Sequence, residues 1–104
     1  MDYEFRMKTG FFETKTYDLL VHKGELVFYP NEIDDGLITI PEESILSITL
    51  KKKQKSLDIE IQTDEKIYQG LLDNKTDYEK FINQMKENIN KKILCEYEGG
   101  KQNA

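Results

Sequence analysis

Tyr3, Phe5 and Met7 fall on one face of an extended chain and Glu4, Arg6 and Lys8 on the other, the period-2 pattern of a strand with one side in a core. This run covers residues 3–12, with Gly10 placed to bend or end it. Two β-rich runs follow, residues 16–22 and 25–30, separated by Lys23-Gly24, where glycine supplies the positive φ of a tight hairpin. After the polar turn NEIDDG (residues 31–36), residues 37–40 read as a short strand. Pro41 lacks a backbone donor, so that strand stops there or lies at a sheet edge.

Residues 44–50 predict another strand, and residues 51–56 its polar turn. Leu57, Ile59, Ile61 and Thr63 then alternate with Asp58, Glu60 and Gln62, the cleanest strand pattern in the chain. Asp64-Glu65 turns into a last strand over residues 66–72, in which Gly70 marks a bulge or a close backbone approach. Beyond residues 73–75 the period changes to that of a helix. Thr76 is a good N-cap, Glu79 completes a capping box, and Tyr78, Phe81, Ile82, Met85, Ile89 and Ile93 form one apolar stripe, predicting a helix over residues 76–94. The pattern as a whole predicts a mainly β fold of six to seven strands with one C-terminal helix, a single domain over residues 1–95 and a flexible tail over residues 96–104.

Composition narrows the functions open to such a fold. The 104 residues carry a net charge of -5, which disfavours nucleic acid as a partner, since phosphate backbones are met by basic surfaces. Cys95 is the only cysteine, so neither an intramolecular disulfide nor a cysteine-cluster zinc site can be built, and a reducing, cytoplasmic setting is expected. The first residues contain no apolar stretch of signal-peptide type, and no run approaches the roughly 20 apolar residues that span a bilayer.

The segments DLLVHKGELVFYP, LITIPEESILSI and SLDIEIQTDEKIY, followed by the helix, resemble the pleckstrin-homology (PH)-like superfold in its GRAM or bacterial PH-like form. Leu26, Phe28 and Pro30 match its "L-x-F-x-P" strand, Ile40, Pro41 and Ile45 its "I-P-x-x-x-I" element, and Ile61 and Thr63 its later "I-x-T" strand. The resemblance covers most of residues 16–90 and implies a strongly bent antiparallel β-sandwich of two sheets, with the C-terminal helix plugging one open end. In phosphoinositide-binding members the basic ligands gather around the first hairpin. Here that turn is His22-Lys23-Gly24-Glu25, so the family's lipid site does not carry over.

Two local features stand out as candidate sites. Lys51, Lys52, Lys53 and Lys55 form the one concentrated basic patch, suited to an anionic membrane surface at about 1 kcal/mol per lysine, or serving only as a solvated turn that protects strand edges. Phe11 and Phe12 are consecutive aromatics that cannot both face one core from a strand, which marks one of them for a partner surface or a second sheet. Glu32, Asp34, Asp35, Glu42 and Glu43 lack the spacing of a calcium loop and read as turn chemistry, so no metal or cofactor is expected. His22, the only histidine, could pair with Asp18 or Glu25, and Cys95 follows the predicted helix C-terminus, where the dipole disfavours a thiolate. Neither assembles a catalytic set. The sequence thus points to a non-enzymatic binding or scaffolding module that meets a protein partner or a second copy of itself as a homodimer, with peripheral contact to anionic lipid as the alternative and a small enzyme last.

Overall fold

The computed structural model describes residues 2–32 and 35–97. In chain order these form β1 (Asp2–Lys8), β2 (Thr14–His22), β3 (Glu25–Pro30), β4 (Ile38–Pro41), a 3-10 turn at Glu42–Ser44, β5 (Ile45–Lys52), β6 (Ser56–Thr63), β7 (Ile67–Asp73), α1 (Tyr78–Asn88) and β8 (Ile93–Tyr97). Two antiparallel meanders, β1 to β4 and β5 to β7, join through β1 and β7, and β8 adds in parallel to β5. The result is one eight-stranded sheet of order β4-β3-β2-β1-β7-β6-β5-β8, ending on β4 and β8.

Period-2 alternation becomes a single buried face. Tyr3, Phe5 and Met7 of β1 join Leu19, Phe28, Ile48, Ile59 and Leu72 in one apolar cluster, completed by Phe81 and Met85 of α1. The rings meet edge to face: Tyr3 with Phe81 at 4.9 Å and Phe5 with Phe28 at 5.1 Å between centroids. The Tyr3 phenol donates to Gln84 Oε1 at 2.8 Å, and burial, with the Asp77 carboxylate adding to it, raises its pKa above the usual tyrosine value. The far end of the helix is tied down too. Gly24 N–H donates to the Asn88 carbonyl at 2.9 Å, and Asn90 N–H to Glu42 Oε1 at 2.9 Å.

Both glycine expectations are met. Gly24 turns the β2–β3 hairpin at φ 83°. At Gly70, opposite Met7 on β1, an added Cβ would come within 2.5 Å of two Phe5 ring atoms and closer still to the Arg6 carbonyl oxygen. Glycine is what lets β1 and β7 approach.

The C-terminal region differs from the sequence expectation in three ways. The helix caps on Asp77, whose Oδ1 accepts from Lys80 N–H at 3.1 Å, and not on Thr76; the aspartate reaches its own N3 amide, so the Thr76–Glu79 box is not used. It ends at Ile89, which is already extended at φ -114°, ψ 116°, not at Leu94. Ile93, Leu94 and Cys95 therefore lie in an eighth strand beyond the six or seven expected, where they cover the otherwise open edge of β5. Cys95 pairs with Leu50 of β5, six residues beyond the Ile89 C-cap, and does not directly follow a helix C-terminus. β8 also takes in Glu96 and Tyr97, where the tail was expected to begin; residues 98–104 lie outside the described residues. At the other end of the chain the first strand stops at Lys8, placing Phe11 and Phe12 in a loop instead of a strand. In β5 a register shift between Ile45 and Ser47 leaves Leu46 exposed and lets Ile45 and Ile48, three residues apart, both face the core.

Candidate functional site

The loop between β1 and β2 is closed by its own backbone. Thr9 and Gly10 N–H both donate to the Glu13 carbonyl, at 3.0 and 3.3 Å, and Glu13 N–H returns to the Gly10 carbonyl at 3.5 Å. Residues 10–13 are thereby a four-residue turn with Phe11 and Phe12 at its two central positions. Their rings stack edge to face at 4.8 Å, yet they are 84% and 95% exposed. Phenylalanine contributes nothing to turn formation, where glycine, proline, asparagine and aspartate are favoured. A tight turn that spends its two central positions on exposed aromatics breaks a local rule with no structural return, which is how functional positions stand out.

The turn borders a groove of about 560 Å³ along the outer face of the sheet. Period-2 alternation and the strand registers set its floor. Arg6 pairs with Leu71, Leu71 with Asp58, Asp58 with Lys51 and Lys51 with Glu96, a row that crosses β1, β7, β6, β5 and β8 with charges of both signs around one apolar residue. Beside it lie Gln69 and Glu60, joined by a 3.3 Å hydrogen bond from Gln69 Nε2 to Glu60 Oε1. Lys8 and Glu13 complete the rim near the aromatics. A scan against protein-family models finds no match, and a search of curated proteins finds no relative. The chemistry of the groove therefore has to be read from its own residues. It offers two aromatic anchors, an apolar floor patch at Leu71, and charged groups of both signs, which suits an extended, apolar-anchored segment better than a polyanion.

The lysine patch does not form one surface. Lys51 and Lys52 are consecutive on β5 and so point to opposite faces, Lys51 into the groove between Asp58 and Glu96. Lys53 Nζ pairs with Asp58 Oδ2 at 2.8 Å, and Asp58 Oδ1 also accepts from the Ser56 hydroxyl at 3.0 Å. Lys55 sits in the exposed β5–β6 turn. Carboxylates interleave with the lysines, diluting the field they would present to a membrane.

The remaining candidates are dispersed. His22 is exposed, pairs with Glu25 across the β2–β3 turn and does not line the groove. Cys95 is exposed on the edge strand. Asp35 is engaged by Lys15 Nζ at 2.7 Å, which raises the lysine pKa, and Glu42 receives Asn90 N–H; Asp34 lies outside the described residues. Among the described residues no group of three or more His, Cys, Asp or Glu is placed to hold a metal ion. No helix among them is long and apolar enough to cross a membrane. Sequence reading singled out Phe11 and Phe12 but not the groove beneath them. Arg6, Lys8, Gln69 and Leu71 carry only the outer-face half of an alternation, and which strands lie side by side cannot be read from that.

Proposed function

We propose that this protein is a non-enzymatic PH-like binding module that takes an extended segment of a protein partner into the groove beside Phe11 and Phe12. The observation that carries the proposal is the exposure of that aromatic pair on a turn whose backbone closes without them. The PH-like part draws support from the order of two antiparallel meanders followed by a helix. An 11-residue helix is about 16 Å long, whereas eight strands measure about 34 Å across. Buried rows on β3 and β6 alike support a reading in which the two halves of the sheet cover each other, as in a bent sandwich. β8 is a departure from the seven-strand family pattern. Lipid contact through Lys51, Lys52, Lys53 and Lys55 is the lesser reading, because Asp58 and Glu96 flank two of those lysines.

The test is selection of a random-peptide display library on the protein, with depletion on a Phe11→Ser, Phe12→Ser variant. Enriched peptides with an apolar anchor, bound at least ~10-fold more weakly by the variant, are the expected result. Peptides that bind both proteins equally, or no enrichment at all, would overturn the groove. Salt-sensitive co-sedimentation with phosphatidylserine vesicles, lost on replacing the four lysines by alanine, would instead establish the membrane reading.

A further inference from the structure

The two ends of the sheet are not alike. β4 is four residues long and finishes on Pro41, a blunted edge. β8 is five residues long with no proline, and it exposes Leu94 at 42% on its outer face. We propose that β8 pairs antiparallel with β8 of a second copy of this chain, in the register that sets Leu94 against Leu94 and Lys92 against Glu96. This goes beyond the groove reading, although it rests on the same view of the protein as a binding module.

Backbone polarity comes first. Ile48 N–H donates to the Lys92 carbonyl at 3.1 Å, and Ile48 pairs with Ile93 in a parallel ladder. In such a ladder Lys92, Leu94 and Glu96 turn their backbone groups toward β5, so those of Ile93 and Cys95 point to the open edge. An isologous antiparallel pair must match edge-facing residues with edge-facing residues, which leaves registers centred on residue 93, 94 or 95. Side chains decide among them. Centred on 93, Lys92 faces Leu94; centred on 95, Leu94 faces Glu96. Centred on 94, Leu94 meets Leu94 in the closer, non-hydrogen-bonded pair, and two Lys92–Glu96 pairs flank it on the outer face. Ile93 meets Cys95 on the inner face, beside the core that Ile93 already packs against. Glu96 would then sit between Lys51 of its own chain and Lys92 of the partner, continuing the charge alternation of the row across the dyad. Of the three, only this register gives the exposed Leu94 an apolar partner, and among the described residues it also sets Lys92 against a carboxylate.

Light scattering after gel filtration reads the mass directly: the wild type is expected at twice the 12.3 kDa of the chain. Lys92→Glu and Glu96→Lys are each expected to weaken the dimer at least ~10-fold, since each turns two attractive cross-strand pairs into repulsive ones. Mixing the two variants restores opposite charges at both pairs and regenerates a dimer, as does the double exchange in one chain. Oxidation should cross-link Leu94→Cys in a Cys95→Ala background but leave wild-type Cys95 uncoupled. A wild type that stays monomeric at ~100 µM, a dimer indifferent to both exchanges, or cross-linking through Cys95 would overturn the proposal. The two readings separate cleanly: Phe11→Ser, Phe12→Ser should leave the dimer intact, and Lys92→Glu should leave peptide capture intact.

Discussion

Five phenylalanines divide this molecule into two kinds of surface. Phe5, Phe28 and Phe81 are each 0% exposed and touch one another's neighbours across a single core, whereas Phe11 and Phe12 are 84% and 95% exposed and touch each other. The first three follow a period, 2 on the strands and 3.6 on the helix, and burying them pulls β1, β3 and α1 together. The last two follow none. Their turn closes through the backbone of Thr9, Gly10 and Glu13, so their apolar area does no folding work and remains available to a partner.

That contrast has an energetic signature. Phe81→Ala empties the contact with Tyr3 and should lower unfolding stability by about 3–5 kcal/mol in a denaturant titration. Gly70→Ala should cost about 1–3 kcal/mol, because the new methyl meets the Phe5 ring and the rigid Arg6 carbonyl. Alkaline titration probes the same inner face. Burial raises the pKa of Tyr3, and those of Tyr68 and Tyr78, above 10.0, so the folded state holds these protons more tightly than the unfolded one. Their contribution is fully present below the usual tyrosine value and is lost as pH rises through the folded one; Tyr3→Phe should flatten that decline. Smallest of all, Phe11→Ser with Phe12→Ser should move stability by no more than ~0.5 kcal/mol. A loss comparable to that of Phe81→Ala would show that the pair belongs to the core after all.

Regular periodicity made most of the fold legible. The alternation of Tyr3, Phe5 and Met7 and of Leu57, Ile59 and Ile61 named buried residues correctly, and Gly24 and Gly70 were placed by conformational and steric need. The C-terminal segment misled because Ile89 and Ile93 stand four apart and fit a helix, while Ile93 and Cys95 equally fit a strand; the open edge of β5, a non-local feature, decided between them. The geometry of the lysine patch was hidden for a related reason. Proximity in sequence places Lys51 and Lys52 on opposite faces once they are in a strand, and the carboxylates beside Lys51 and Lys53 come from β6 and β8. The groove was illegible because its floor is assembled from five strands whose adjacency is a matter of topology.

The most direct measurement is a map of backbone amide shifts as a peptide selected on the protein is titrated in. Binding at the aromatic turn predicts the largest changes at Phe11, Phe12 and Glu13 and along the outer row at Arg6, Lys51 and Leu71, with α1 and the β2–β3 turn undisturbed. Changes centred on α1 or on His22 and Gly24, with the aromatic turn silent, would contradict it.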